Sequence, residues 1–162
     1  WEKQGADGVE PRIILGTANA FLWSLDAKTG EPDPSFGDGG KVDLTLGLGR
    51  EIDRSMVANS AALTIVGDIV ILGGVVYDDP MFDRIPTKLT DVPPGHIRGF
   101  DLNTGAQKWN FHTIPQQGEF GNDTWATAPR KVTADPKVWT LMSAVLQMGI
   151  SNLTIGTRGT DW

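Results

Sequence analysis

Apolar and polar residues alternate along this chain in short runs, and Gly, Pro or Asn-containing turns separate them. Arg12 to Thr17 (RIILGT) and Ala20 to Asp26 (AFLWSLD) read as two strands joined by a tight turn at Ala18-Asn19, with a further turn at Thr29-Gly30. Ala61 to Val66 and Ile69 to Leu72 are β-branched runs around the hairpin signal Gly67-Asp68, and the second run ends at Gly73-Gly74. Farther on, Trp109 and Phe111 stand two apart in a strand, with Lys108 and Asn110 between and beside them. That period predicts one buried face carrying the aromatics and one wet face. Helix is scarce: the best 3.6-residue pattern, Val138 to Met148, is short and mixed. The chain therefore reads as all-β.

The pattern also repeats. Residues 24 to 36 read SLDAKTGEPDPSF and residues 99 to 111 read GFDLNTGAQKWNF. In each copy an apolar residue and an Asp (Leu25-Asp26, Phe100-Asp101) precede two variable residues and Thr-Gly (Thr29-Gly30, Thr104-Gly105). The residue types follow from turn chemistry. The Asp accepts backbone N–H bonds around the turn, the Thr adds a hydroxyl bond, and the Gly takes the φ > 0 position. Two strands before the second copy and two within it make a four-stranded meander, which is the blade of a β-propeller. The Gly- and Pro-rich segment 31–58 reads as a long surface excursion, and Val75 to Gly95 as a second. After Ile114, PQQGEFGNDTW is a polar and aromatic loop, and VWTLMSAV and SNLTIGT could open another blade. Two blades and a fraction are expected.

Charge narrows the partners. The formal net charge is −6, and no window clusters Lys and Arg among aromatics, so no nucleic acid is expected to bind. No apolar run reaches the roughly eighteen residues of a membrane-spanning helix. The absence of cysteine excludes disulfides and thiolate metal sites. A start at Trp1, without initiator Met or signal sequence, suggests a piece of a longer chain.

Several stretches resemble the pyrroloquinoline quinone (PQQ) dependent dehydrogenases, in particular their glucose and quinate branch. They are RIILGTANAFLWSLDAKTG, SFGDGGKVDLT, VGDIVILGG, PPGHIRGFDLNTGAQKWNFHTIP and GEFGNDTW, and together they span most of residues 12 to 125. The resemblance implies a periplasmic, eight-bladed propeller, attached to the inner membrane through a segment outside these residues, of which this chain would be a single-domain fragment supplying about two blades. It further implies PQQ and a divalent cation, Ca2+ or Mg2+, in the channel, a sugar, polyol or other alcohol as substrate, and ubiquinone or another electron acceptor. A cation on the quinone oxygen acts as a Lewis acid, and a carboxylate base removes the hydroxyl proton. The Gly99-x-Asp101-x-x-Thr104-Gly105-x-x-x-Trp109 pattern is similar to the family's blade-docking motif, with Pro34 in the place of the Trp in the first copy.

Site residues carry over one at a time. Trp139, in VWTLMSA, matches a tryptophan that forms the floor beneath the PQQ ring, against the plainer role of a core residue between blades. Ser60 would reach a PQQ carboxylate, and Gly73 and Gly74 would border the cofactor. Asp78 and Asp79 offer hard oxygens for the cation, Asp78 the stronger candidate, and Thr157 stands where alcohol-oxidising relatives have a calcium-ligating amide. Solvated loop carboxylates and an ordinary strand-start Ser are the bland alternatives. His96 and His112 lie within or beside blade strands and read as structural. The loop Gly118 to Gly121, with Asn122, Asp123 and Trp125, faces the channel by analogy and offers substrate contact. No match to the family's catalytic aspartate occurs, so the base is expected outside this chain. A non-enzymatic propeller acting as scaffold or sensor is the rival reading; it would lack both the Gly118 to Trp125 loop and Trp139.

Overall fold

The computed structural model describes residues 1–5, 8–49, 51–59, 62–76, 94–124, 138 and 140–155. Its strands are β1 (Glu2–Gly5), β2 (Gly8–Gly16), β3 (Phe21–Asp26), β4 (Lys41–Asp43), β5 (Val57–Ala58), β6 (Thr64–Val66), β7 (Ile69–Gly73), β8 (Val75–Val76), β9 (Ile97–Asp101), β10 (Gln107–Phe111), β11 (Ser143–Val145) and β12 (Ile150–Asn152). They form two four-stranded antiparallel sheets, β1-β2-β3-β4 and β10-β9-β7-β6, and two short pairs, β5-β8 and β11-β12. Among the described residues the only helical turns are short 3₁₀ segments, Leu146–Met148 being all that forms in the Val138 to Met148 pattern. Two blades and the start of a third are thus present. β1 extends the first sheet at a place where the sequence pattern predicts no strand.

Both repeats fold into the same turn. Asp26 Oδ1 accepts from the backbone N–H groups of Lys28 (2.8 Å) and Thr29 (2.9 Å), and Asp101 Oδ1 from those of Asn103 (2.9 Å) and Thr104 (3.0 Å). The Thr hydroxyls also donate to these oxygens and accept from Glu31 and Ala106. Gly30 and Gly105 close the turns at φ 76° and 74°. These bonds favour the ionised carboxylate. Asp26 is held below its ordinary value chiefly by its backbone donors; at Asp101 burial pushes upward and is outweighed by Lys108 and the turn donors. The β2–β3 connection is one residue longer than Ala18-Asn19 suggests: Thr17 N–H donates to Phe21 O (2.9 Å), and buried Ala20 takes the left-handed position at φ 62°. A three-residue loop with a left-handed last residue matches the strand twist.

The two blades pack face to face. Pairing of Val70 with Phe100 and of Leu72 with Arg98 sets one face of the second sheet, and it buries against Leu22, Phe36 and Leu44 of the first. Thr104 and Gly105 rest directly on the first blade: Gly37 N–H donates to Thr104 O at 2.9 Å, and a Cβ on Gly105 would collide with Val42. Buried Arg98 reaches across the same seam and donates to Leu44 O (2.7 Å) and Leu46 O (2.9 Å). Its desolvation lowers the guanidinium to about 10, with Asp43 opposing, so it stays charged at neutral pH. A groove of about 690 Å³ runs along this seam, lined by Phe21, Val42, Phe100, Gly105 and Gln107 among others.

Two expectations are corrected. Segment 31–58 is no surface excursion. It contains β4, β5 and the Arg54–Met56 turn, and it buries Phe36, Leu44, Met56 and Val57. Its glycines serve tight packing; a Cβ on Gly40 would strike Pro32. Nor is the aromatic face of β10 buried, since Trp109 is 38% and Phe111 53% exposed. The opposite face of the second sheet meets Val138, Met142 and Leu153 around Ile71 and Ile97, short of the β10 edge. Trp109 lies instead over Gly99 of its own sheet, where a bulge between Gln107 and Trp109 brings them opposite and a Cβ would leave the indole no room.

Candidate functional site

The two turns at Asp26 and Asp101 mark one end of the sheets, and the antiparallel register places Gly16, Gly73, Ile97 and Phe111 at the other. At that second end three separated chain segments meet. Buried Asn59 donates through Nδ2 to Gly73 O (3.0 Å), and its backbone N–H donates to Thr17 O (3.1 Å), which bridges the two blades. Val138 packs so closely on Gly73 that a Cβ there would collide with the Val138 backbone. Gly74, by contrast, has open space where a side chain would begin. Gly73 is bare because another backbone approaches it; Gly74 leaves room.

These contacts bear on the predicted residues. Ser60, Asp78, Asp79, Trp125, Trp139 and Thr157 lie outside the described residues. Their described neighbours are informative. Asn59 precedes Ser60, β8 ends two residues before Asp78, and Val138 precedes Trp139. Asn59 and Val138 both touch Gly73, so the described chain stops beside Gly73 just before Ser60 and again just before Trp139, whereas β8 runs antiparallel to β5 and heads toward Asp78 away from that contact.

His96 and His112 also sit at this end, just before β9 and just after β10, and their rings meet edge-on with centroids 4.5 Å apart. His112 Nδ1 is 2.7 Å from Glu119 Oε1, and its Nε2 is 3.3 Å from Asn110 Nδ2. Glu119 Oε2 accepts the backbone N–H of Gln116 at 2.7 Å. That backbone bond, followed by His112, holds the Glu119 carboxyl below its ordinary value. Asn122 Nδ2 donates to Pro115 O at 2.7 Å and closes the loop from its other side. Asn59 Oδ1 and Asn110 Oδ1 are buried with no protein partner. A buried acceptor left unpaired costs about 1–3 kcal/mol, so both are open to a donor from water or ligand.

Sequence reasoning passed over Asn59, and it named His96, His112 and the Gly118–Gly121 loop without the edge-on ring contact or the His112–Glu119 pair. A single Asn ahead of Ser60 carries no periodic signal. Glu119 stands seven residues from His112, too far along any single helix or strand for the two side chains to meet, so only the loop conformation joins them. Among the described residues no group of three or more His, Asp and Glu could hold a metal ion; the predicted metal ligands are all outside that set.

Comparison with known proteins bears on the family and the fold. The glycerol dehydrogenase large subunit of Gluconobacter thailandicus is 26% identical over 151 residues, which cover 93% of this chain and 19% of that protein. The quinate/shikimate dehydrogenase (quinone) of Acinetobacter baylyi is 26% identical over 152 residues, 93% of this chain and 17% of that protein. A probable quinate dehydrogenase (quinone) of Xanthomonas campestris pv. juglandis is 31% identical over 163 residues, 98% of this chain and 18% of that protein. The chain thus spans about a fifth of the length of the curated relatives it matches. In fold it is similar to the quinohemoprotein alcohol dehydrogenases of Pseudomonas putida HK5 (TM-score 0.63, 18% identity, 90% of this chain and 19% of that one) and Comamonas testosteroni (TM-score 0.62, 17% identity, 90% and 20%). The model of the PQQ glucose/ethanol/alcohol dehydrogenase β-propeller domain matches residues 1–162, and with the repeated blade turn and the two packed blades this places the chain in the PQQ-dependent dehydrogenase family.

Proposed function

We propose that these residues supply part of the cofactor-bearing end of a periplasmic PQQ-dependent dehydrogenase that oxidises a polyol or related alcohol and delivers the electrons to ubiquinone or another quinone. The observation that carries this is the meeting of Asn59, Gly73 and Val138 at one sheet end. Asn59 and Val138 are the chain neighbours of Ser60 and Trp139, two of the residues this reading assigns to the cofactor. Open space at Gly74 leaves room for a ligand at that sheet end. Relatives named for glycerol and quinate favour a polyol over an aldose.

PQQ, when bound, would supply an electrophilic quinone for two-electron alcohol oxidation, and a divalent cation would supply Lewis acidity. Trp139 would provide an indole face for stacking, Ser60 a hydroxyl donor, and Asp78, Asp79 and Thr157 hard oxygens suited to calcium or magnesium. The base that takes the hydroxyl proton belongs to a part of the propeller beyond these residues. The test is reconstitution: full-length protein freed of cofactor is titrated with PQQ and Ca2+, and glycerol and quinate oxidation are followed with an artificial acceptor. Strict dependence on both additions is expected. Oxidation that proceeds without PQQ, or none with it, would reject the proposal.

A further inference from the structure

Arg98 and Asn110 stand directly opposite each other in the register of β9 and β10, so their side chains leave the second sheet on the same face. That face is the seam with the first blade, because Arg98 shares it with Leu72, its partner on β7. Arg98 is only 3% exposed. Its two terminal nitrogens are committed to Leu44 O and Leu46 O, whereas its Nε has no hydrogen-bond partner among the described residues. Across the strand pair Asn110 Nδ2 is committed to His112 Nε2, whereas Asn110 Oδ1 is buried and has no partner among them either. One orphaned donor and one orphaned acceptor thus occupy opposed positions on one buried face.

Burial makes both orphans costly. Among the described residues Arg98 makes no ion pair; Asp43 acts on it only through space and is itself engaged by Arg54 and Thr45. A charge held in such a place needs its remaining hydrogen bonds made. The Cβ atoms of directly opposed residues are about 4.5–5.5 Å apart, which keeps Nε and Oδ1 within the span of one water molecule. Such a water accepts from Nε–H and donates to Oδ1, and two polar partners are enough to hold it in a protein interior.

We propose that the seam between the blades has a binding site for a single bridging water, built by Arg98 Nε and Asn110 Oδ1. The bridge joins two features that otherwise stand apart. From Asn110 the chain of hydrogen bonds runs on through Nδ2 to His112 Nε2 (3.3 Å) and from His112 Nδ1–H to Glu119 Oε1 (2.7 Å). His112 is thereby held as the tautomer protonated at Nδ1. The arginine that seats one blade on the other and the carboxylate that ties the loop after β10 become the two ends of one polar chain. The orientation of the Asn110 amide selects the ligand. With Oδ1 toward Arg98 the site offers one donor and one acceptor and takes water; turned about, it would offer two donors and take an anion.

The test is a high-resolution crystal structure of the full-length protein, with a second crystal soaked in bromide. Density for one water about 2.7–3.2 Å from both Nε and Oδ1 is expected, with no bromide peak in anomalous maps. A direct Nε–Oδ1 bond, or no density between the two, would overturn the site, and bromide there would overturn both the water and the amide orientation. Amide hydrogen exchange of the full-length protein provides a readout in solution. Asn110→Asp keeps an acceptor for the bridge but loses the donor to His112, and Asn110→Leu loses both. The amides of Gly37 and Leu46, which lie on the first-blade side of the seam, should exchange about tenfold faster in Asn110→Leu and within about threefold of wild type in Asn110→Asp. Unchanged exchange in Asn110→Leu, or equal acceleration in both variants, would remove Oδ1 from the seam. If Asn110→Leu fails to fold, the wild-type crystals and Asn110→Asp still decide the matter.

Discussion

The backbone N–H of Gly37 donates to the carbonyl of Thr104 across 2.9 Å, and this bond seats the repeated turn of the second blade on the strand-end loop of the first. The first-copy turn at Gly30 has the same φ and the same internal bonds, but a Cβ there would meet nothing within 4 Å. At either turn the left-handed backbone penalty of a Gly→Ala change is about 1–2 kcal/mol. Gly105→Ala should cost about 1–3 kcal/mol more, because its methyl group collides with Val42 and the Gly37 backbone. Denaturant unfolding of the full-length protein would measure the Gly105→Ala loss; a loss no larger than the left-handed penalty would contradict its docking role.

Arg98 offers a second test of the seam. Its two carbonyl partners, Leu44 and Leu46, belong to the other blade. Arg98→Ala leaves both carbonyls unpaired and opens a void, and should destabilise by about 2–4 kcal/mol. Arg98→Lys keeps the charge but not the two-pronged geometry, and should fall between. Equal stability of Arg98→Lys and wild type would show that charge alone matters.

Acid should loosen the first blade through Asp33. This carboxylate is nearly buried, with Lys3 Nζ at 2.7 Å, Arg12 Nε at 3.3 Å and Ser35 Oγ at 2.7 Å. Burial pushes its pKa upward, but the Lys3 and Ser35 bonds outweigh it and hold the group far below the ordinary 3.8. Because the folded value is depressed, the stabilisation is complete above about pH 5 and is lost as pH falls through the unfolded value toward the folded one. Asp33→Asn should cost about 1–3 kcal/mol at pH 7 and flatten the fall in stability below pH 5. Parallel stability profiles for the two proteins would remove Asp33 from the acid response.

Cofactor affinity should respond to Trp139 and Asp78 differently. Trp139→Ala in the full-length protein should weaken PQQ binding by about 1–3 kcal/mol, the range measured for aromatic stacking on flat bases. Asp78→Ala should leave the fold intact and raise the cation concentration needed for activity. An unaltered cation requirement would take Asp78 out of the metal site, and unaltered PQQ affinity would do the same for Trp139.

The outer face of the first blade predicts the behaviour of residues 1–162 on their own. Ile13 and Leu15 are 49% and 45% exposed on β2, the side away from the second blade. An apolar sheet face of this kind is normally covered by a neighbour. The isolated chain should bind a hydrophobic dye and self-associate. A monomer that melts cooperatively without dye binding would count against a missing neighbour on this face.

Local chemistry alone determined the strands, the hairpins and the two Asp-x-x-Thr-Gly turns, because each is built from contacts only a few residues apart. Asp101, Thr104 and Gly105 satisfy one another wherever the chain is placed, so their pattern could be read directly. The resemblance carried by those turns and the stretches around them led to the right family for the same reason. The rest depended on partners distant in sequence. Segment 31–58 looked like a solvated loop because its Gly and Pro signal turns, and only the face of the second blade shows that Phe36 and Leu44 are core. Trp109 has the period of a buried residue, yet whether that face is covered is decided by a neighbouring sheet. Asn59, Gly73 and Val138 meet because two blades and the entry to a third converge, and a linear pattern has no term for that. The His112–Glu119 contact hid for a related reason. A pair joined across a loop has no period, so its partners are fixed by the folded path of the backbone and not by their spacing.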